Sequence, residues 1–534
     1  MLTKRRLEAS DAPSVNSLKV MPDPAHGLTP VSRRQRALKR NEAMTQRFTT
    51  TPDPRLNWIN GAWNDGGTVR ESISPSTGEV LGTYTDIGPD EAREAIDAAR
   101  TAFDTTAWPR DRGLRSRALF ELADRIEAHG PQIALMLSRE GGKLLAQTQW
   151  ELQGSAEWLR YSAATAMLQT AGRALESAPG VHFQSTPEPM GVVGVISPWN
   201  SPIILSIRAM GPALAAGCTV VLKMPHQTAL TNALFAEAVA ATKLLPPGAL
   251  NIITESGSIG AAMLVDSPDV NAISYTGSTK VGRMIAENGA KTLKRLNLEL
   301  GGKTPLVVFD DADLSVVVPQ IVTALVVMNG QFCCTGSRVL VQRGIADALR
   351  AALIEAYQNV RLGVSEDPDA QLGPLIDKAS VGRVDALVTE AASSATILVR
   401  GGPVMDGPLA SGAFYRPTLI EVQPLDSFVV QNELFGPVQT LELFEDEADA
   451  IHRANATEFG LAASIFTADA ARARRVGKAI QAGTIWMNCW GVISEHFEES
   501  GFKQSGVGVL CGPRAIEQFQ EIKVYASVDA APGA

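Results

Sequence analysis

From residue 192 onward the chain alternates short β-rich runs with helical ones, and that alternation constrains its fold more than any other feature. Residues 192–196, 219–222, 250–253, 272–275 and 306–309 are dense in Val, Ile and Leu and read as strands, while 203–215, 228–244 and 279–288 between them read as helices. Strands buried on both faces and joined by crossover helices make a parallel sheet. A second set follows Gly330: 338–342, 396–399, 464–467 and 484–488 as strands, with 346–359, 381–392, 447–456 and 471–482 as helices. The sequence therefore predicts an α/β chain with two parallel-sheet domains. Such sheets bind ligands beyond the carboxyl ends of their strands, and clefts between domains are common sites. Upstream, 91–103, 115–129 and 140–161 read as helices.

A chain of 534 residues exceeds one compact core. Its net charge of −9 argues against a nucleic-acid-binding surface. Every long apolar run is broken by Gly, Pro or charge, so no membrane span is expected. The five cysteines, Cys218, Cys333, Cys334, Cys489 and Cys511, form no disulfide pattern. No Cys-x-x-Cys occurs and the His residues are scattered, so a reducing, cytoplasmic compartment and no structural metal are expected. Residues 1–44 carry nine basic side chains against four acidic ones, a net of +5, without apolar periodicity. They lack the apolar core of a secretory signal, and their acids do not suit a transit peptide. A disordered extension, or a start nearer Met44, is expected there.

Chemistry concentrates in two glycine-containing turns: Leu298-Glu299-Leu300-Gly301-Gly302-Lys303 and Gly330-Gln331-Phe332-Cys333-Cys334-Thr335-Gly336. Glycine permits tight turns and close backbone approach. A lone Cys is more often a small buried hydrophobe than a nucleophile, and a lone Glu is usually solvated. A carboxyl inside an apolar Leu-Glu-Leu-Gly-Gly run is unusual for a solvated group, and partial burial would raise its proton affinity toward that of a general base.

With Pro198-Trp199-Asn200-Ser201-Pro202 and Glu433-Leu434-Phe435-Gly436-Pro437, these turns resemble the aldehyde dehydrogenase superfamily, in motif order, from about Trp58 to about Tyr525. The resemblance implies an NAD(P)-dependent oxidation of an aldehyde to the acid through a thiohemiacetal and a thioester. Cys333 matches the nucleophile, Glu299 the base that activates the hydrolytic water, and Asn200 the oxyanion donor. The presence of Glu299 separates the chain from CoA-acylating relatives. Cofactor contacts carried over are Trp199, Lys223, Gly277, Ser278, Glu433 and Phe435, and His226 stands where NAD-specific relatives carry a Glu. An imidazole does not repel a 2′-phosphate, so NADP is admitted beside NAD. Domains implied are 45–171 with 190–298 for the cofactor and 299–514 for catalysis, with 172–189 and 515–527 as a small β-extension that makes a homodimer or homotetramer.

Three positions bear on the substrate. Arg208 faces the channel in relatives, and two readings stand: it binds a substrate carboxylate, or it forms a structural ion pair. Ser201 replaces a bulky aromatic, which would widen the entrance, and Phe497 belongs to a loop lining the channel. Phe332, Trp486, Trp490 and Phe497 form either an apolar substrate wall or core. The expected substrate is an aromatic or carboxylate-bearing aldehyde. Two rival functions are a cysteine-dependent thiol esterase or acyl transferase, and a non-catalytic binding protein on the same fold.

Overall fold

The computed structural model describes residues 55–168 and 172–529. The extension predicted for residues 1–44 lies outside the described residues. Two large sheets organise the rest. In the first, Leu250–Glu255, Thr219–Pro225, Val192–Ile196, Ala272–Thr276 and Arg295–Glu299 lie side by side in that order, all parallel. The order reverses between Val192–Ile196 and Ala272–Thr276, which creates the crevice that a doubly wound sheet opens at its carboxyl edge. Asn57–Ile59 pairs antiparallel with Leu250–Glu255 at one edge, and Gly506–Val507 pairs antiparallel with Arg295–Glu299 at the other.

The second sheet runs Thr396–Val399, Thr418–Glu421, Val438–Phe444, Arg338–Gln342, Pro305–Val308, Ala462–Phe466, Thr484–Met487. All its pairings are parallel except the first. Pro305–Val308 is thus central to the second sheet, although the alternation places it with the first. The strand that completes the first sheet is Arg295–Glu299. Its Arg-Leu-Asn-Leu-Glu alternation suits an edge, where the short Gly506–Val507 strand covers it. Chain direction explains the site. The polypeptide leaves the carboxyl end of the first sheet at Glu299 and enters the amino end of the second at Pro305, so five residues bridge the facing edges.

Two helices differ from the sequence expectation. They span Arg112–Gly141 and Leu145–Thr165, not 115–129 and 140–161. Pro131 is accommodated inside the first, and the break comes at Gly142, whose φ of +72° only glycine adopts readily. The longer helix is anchored by Asp111, which accepts from the Leu114 N–H at 2.8 Å. Arg173–Ala178, Val181–Pro189 and Gln520–Val528 form a separate three-stranded antiparallel sheet. Buried charge in the second sheet is paired: Arg338 donates to Glu442 through Nε at 2.8 Å and Nη2 at 2.7 Å, both side chains fully enclosed.

Candidate functional site

Four of the five strands in the first sheet's parallel core deliver a predicted residue at or just beyond their carboxyl ends. Asn200 follows Val192–Ile196, Lys223 lies in the last turn of Thr219–Pro225, and His226 opens the short 3-10 turn beyond it. Gly277 and Ser278 follow Ala272–Thr276, and Glu299 ends Arg295–Glu299. Because these strands run parallel, their carboxyl ends lie on one rim.

Cys333 comes from the opposite rim. A turn closed by the Thr335 N–H on the Phe332 carbonyl at 3.0 Å holds Cys333 and Cys334 at its tip. Its approach is braced by Asn329, fully buried with φ of +60°. Asn329 Nδ2 donates to the Gly142 and Pro374 carbonyls at 2.9 and 2.7 Å, and its Oδ1 accepts from the Gly373 N–H at 2.7 Å. Such a left-handed asparagine persists only where its surroundings dictate it. The two glycine turns then meet. A Cβ on Gly302 would lie 2.4 Å from the Cys333 carbonyl oxygen, and one on Gly301 would lie 2.7 Å from Glu433 Oε2. The glycines serve contact between the loops as much as approach to a ligand.

Asn200 is buried and its Nδ2 donates to the Gln331 carbonyl at 2.9 Å, tying the Asn200 turn to the Cys333 loop. One amide hydrogen is used there and the second is free to serve a ligand. Below it, the helix Pro202–Ala216 starts without a side-chain cap of its own. Glu151 supplies one, accepting from the Ile203 and Ile204 N–H groups at 3.1 and 3.2 Å, and it pairs with buried Lys143. Lys143 also reaches Ser201 Oγ at 3.3 Å, and Ser201 donates to Met328 Sδ at 3.3 Å. Ser201 is therefore enclosed and fully engaged, not a widened entrance. Burial lowers the proton affinity of Lys143, and Glu151 opposes that.

Glu299 is buried, and its Oε1 has no hydrogen-bond partner among the described residues. Burial pushes its carboxyl well above the usual range; Arg208 opposes this, and Glu499 and Cys333 reinforce it. Ser505 pins the turn: its carbonyl accepts from the Leu300 N–H at 2.9 Å and its hydroxyl donates to the Gly301 carbonyl at 2.7 Å. Cys333 Sγ lies 3.9 Å from Cys334 Sγ. The Cys334 thiol is held well above its ordinary value by the Cys333 contact first and burial second, so it stays protonated.

Arg208 ion-pairs with Glu499, and its Nε donates to Cys511 Sγ at 3.1 Å. Of the two readings, the geometry has the ion pair. Phe497, at 72% exposed, stands on the surface. Phe332 packs edge-on against Trp490 with centroids 6.0 Å apart, and Trp490 against Trp486 at 6.0 Å. Trp490 Nε1 also donates to the Cys334 carbonyl at 3.1 Å, so this aromatic stack abuts the thiol loop.

On the other side, Trp199 and Phe435 meet edge-to-face at 5.5 Å. Phe435 has φ of +51°, fixed by Arg383 donating to the Leu434 and Phe435 carbonyls at 2.8 and 3.3 Å. Glu433 Oε1 accepts from the Gly302 N–H at 3.4 Å, and burial raises its carboxyl to about 7. Buried Lys303 is lowered to about 7, chiefly by burial. Lys223 is also lowered by burial, with Glu255 and Asp86 opposing. His226 is half-buried and lowered by burial and then by Lys223, so its ring is neutral at pH 7. Ser278 caps the helix Thr279–Gly289, accepting from the Val281 N–H at 3.4 Å. That helix points its positive end at the carboxyl rim, a donor set suited to a pyrophosphate.

Sequence reading missed Asn329, Glu151, Lys143, Ser505 and Glu499. Glu499 and Ser505 follow Phe497 closely in the chain, and Asn329 directly precedes Gly330; those were the available signals. Among the described residues no group of three or more His, Cys, Asp or Glu is placed to hold a metal ion. No helix among them is long and apolar enough to cross a membrane.

Comparisons with known proteins bear on the family and the fold. The family model for the aldehyde dehydrogenase family matches residues 63–525. A succinate-semialdehyde dehydrogenase of Escherichia coli K12 whose name specifies NADP(+) is 35% identical over 87% of this chain and 96% of its own. A phenylacetaldehyde dehydrogenase of Pseudomonas fluorescens is 33% identical over 87% of this chain and 94% of its own. The solved structure of betaine aldehyde dehydrogenase from Staphylococcus aureus in complex with NAD+ superposes with a TM-score of 0.88 at 31% identity, covering 92% of this chain and 98% of that one. The chain belongs to the aldehyde dehydrogenase family.

Proposed function

We propose that the protein oxidises an aldehyde to its carboxylic acid with NAD or NADP, using Cys333 as nucleophile, Glu299 as general base and Asn200 as oxyanion donor. The observation that carries this reading is the joining of the two rims: the Asn200 amide donates to the thiol loop at Gln331, the Gly302 turn that follows Glu299 packs on the Cys333 carbonyl, and buried Glu299 keeps Oε1 unpartnered among the described residues. The Cys333 thiolate adds to the carbonyl carbon, and the alkoxide of the resulting thiohemiacetal is held by Asn200 Nδ2 and the Cys333 N–H. Bound nicotinamide supplies the acceptor for the hydride that leaves this carbon. Glu299 then takes a proton from water as it attacks the thioester, and the thiolate departs with the acid released.

Trp199, Phe435 and Glu433 would hold the nicotinamide end, Gly277 and Ser278 the pyrophosphate, and Lys223 with His226 the adenosine ribose. A neutral His226 offers a 2′-phosphate no repulsion, so both cofactors are accepted. The aromatic stack beside Cys333, together with an Arg208 already engaged by Glu499, supports an aromatic aldehyde over a carboxylate-bearing one. We assign 45–171 with 190–298 to the cofactor and 299–514 to catalysis. A homodimer or homotetramer would form through 172–189 and 515–527, whose sheet leaves Leu175, Ile522 and Val524 more than half exposed. Five free thiols fit a reducing cytoplasm.

The test is NADH and NADPH formation with benzaldehyde-type, semialdehyde-acid and aliphatic substrates. Turnover best with the aromatic members supports the reading. Ester cleavage without reduction of either cofactor by any aldehyde would instead establish a thiol esterase.

A further inference from the structure

The two oxyanion donors, the Asn200 amide and the Cys333 N–H, sit on separate loops, and one helix grips both loops. The helix Leu145–Thr165 carries Gln147 and Glu151 one turn apart on the same face, about 6 Å along its axis. Gln147 Oε1 accepts from the Met328 N–H at 3.1 Å, on the segment that leads into the thiol turn. Glu151 Oε1 accepts from the Ile203 and Ile204 N–H groups at 3.1 and 3.2 Å, in the first turn of the helix that follows Asn200.

The contacts between these grips close a circuit. Ser201 occupies the cap position of the helix Pro202–Ala216 but makes no capping bond. A serine there ordinarily accepts from the second or third N–H of its own helix. With Glu151 taking that task, the Ser201 hydroxyl turns away, 3.3 Å from Lys143 Nζ, and donates to Met328 Sδ at 3.3 Å. Lys143 pairs with Glu151, their side chains 3% and 0% exposed. Met328 is thus held twice, by Gln147 at its backbone and by Ser201 at its sulfur. It also has a left-handed backbone, with φ of +49° beside +60° at Asn329. That conformation is unfavourable for a residue with a side chain and persists where the surroundings impose it. Asn329 is fixed by its own amide, whereas Met328 has no amide and gives its N–H to Gln147. Beyond Met328, the Gln331 carbonyl accepts from Asn200 Nδ2 at 2.9 Å.

We propose that Gln147, together with the Lys143–Glu151 pair, is a positioning clamp for the oxyanion site: the helix Leu145–Thr165 sets the spacing between the Asn200 turn and the thiol loop, so that both donors converge on one oxygen. The proposal rests on Asn200 being the oxyanion donor. Gln147 acts through the Met328 backbone and not on the substrate. Losing the clamp and losing the Asn200 amide therefore remove the same interaction, and their effects on rate should not multiply. A contact that serves the fold alone would slow both backgrounds equally.

The test is the rate of cofactor reduction in a single turnover, with full-length enzyme in excess over the aldehyde it oxidises fastest, and denaturant unfolding in parallel. The variants are Gln147→Met, Gln147→Glu, Asn200→Ala and Gln147→Met/Asn200→Ala. Methionine matches glutamine in length but offers no oxygen to the Met328 N–H, whereas glutamate keeps one. Gln147→Met should slow reduction roughly tenfold, a part of the hundredfold that about 1 Å of misplacement costs. Gln147→Glu should recover most of that loss. In the Asn200→Ala background the same Gln147→Met exchange should slow reduction about twofold or less. Equal losses in the two backgrounds, a wild-type rate in folded Gln147→Met, or a Gln147→Glu as slow as Gln147→Met each overturn the proposal. Should Gln147→Met fail to fold, Ser201→Ala cuts the other hold on Met328, and its loss should likewise vanish in the Asn200→Ala background. Asn200→Ala at the wild-type rate overturns the oxyanion reading and the clamp with it, whereas a wild type that reduces neither NAD nor NADP overturns the oxidation itself.

Discussion

Replacing Asn200 by Ala separates two effects that the structure assigns to one amide. The first is structural. Asn200 Nδ2 donates to the Gln331 carbonyl at 2.9 Å, and the residue is 7% exposed. Losing a buried hydrogen bond of this kind costs about 1 kcal/mol of stability. Other braces, among them the three hydrogen bonds of Asn329, still hold the Cys333 loop. The second effect is catalytic. The remaining amide hydrogen is the oxyanion donor, and deleting such a donor raises the barrier by about 3 kcal/mol. At about 1.4 kcal/mol per tenfold, that is roughly a hundredfold loss in rate. Because the charge develops only in the transition state, kcat should carry the loss and KM should change little. The assay is stopped-flow formation of reduced cofactor, which reads the acylating half-reaction, beside chemical denaturation. A burst rate within about fivefold of wild type, in a variant destabilised by about 1 kcal/mol, would refute the oxyanion role and leave Asn200 as a structural turn residue.

Glu299→Gln should retain the burst and lose steady-state turnover, because the amide cannot accept the proton from water; in the wild type, turnover should rise with pH well above the ordinary carboxylate range, read from a kcat profile. His226→Glu should reduce catalytic efficiency with NADP far more than with NAD, measured as the ratio of the two kcat/KM values, since a carboxylate repels the 2′-phosphate. Glu442→Gln leaves Arg338 as an uncompensated charge in the middle of the second sheet and should cost about 3–5 kcal/mol in denaturant unfolding.

What the sequence made legible follows from the physics of each feature. The runs at Val192–Ile196, Thr219–Pro225 and Ala272–Thr276 are buried on both faces, so apolar density alone marked them. Arg295–Glu299 escaped because its alternating polar residues look like a loop until the covering strand Gly506–Val507 is known. Val438–Phe444 escaped for a related reason: it carries Gln439, Thr440 and Glu442 in its interior, and only the Arg338 pairing makes the last of these tolerable there. The candidate residues Cys333, Glu299 and Asn200 were legible through motif order, but their bracing was not. Glu499 lies 291 positions from Arg208, so no local pattern could join them. Ser201 looked like an opened channel because a small residue in place of a large one leaves space only when nothing else fills it. Here Lys143 and Met328 engage it.

The most direct measurement is aldehyde-dependent reduction of NAD and NADP by the full-length protein and by Cys333→Ala, with mass spectrometry of protein quenched during turnover. Reduced cofactor from the wild type, none from the variant, and an acyl adduct on the peptide bearing Cys333 are the expected results. Undiminished reduction by Cys333→Ala, or an adduct carried by Cys334 in its place, would contradict the assignment of the nucleophile.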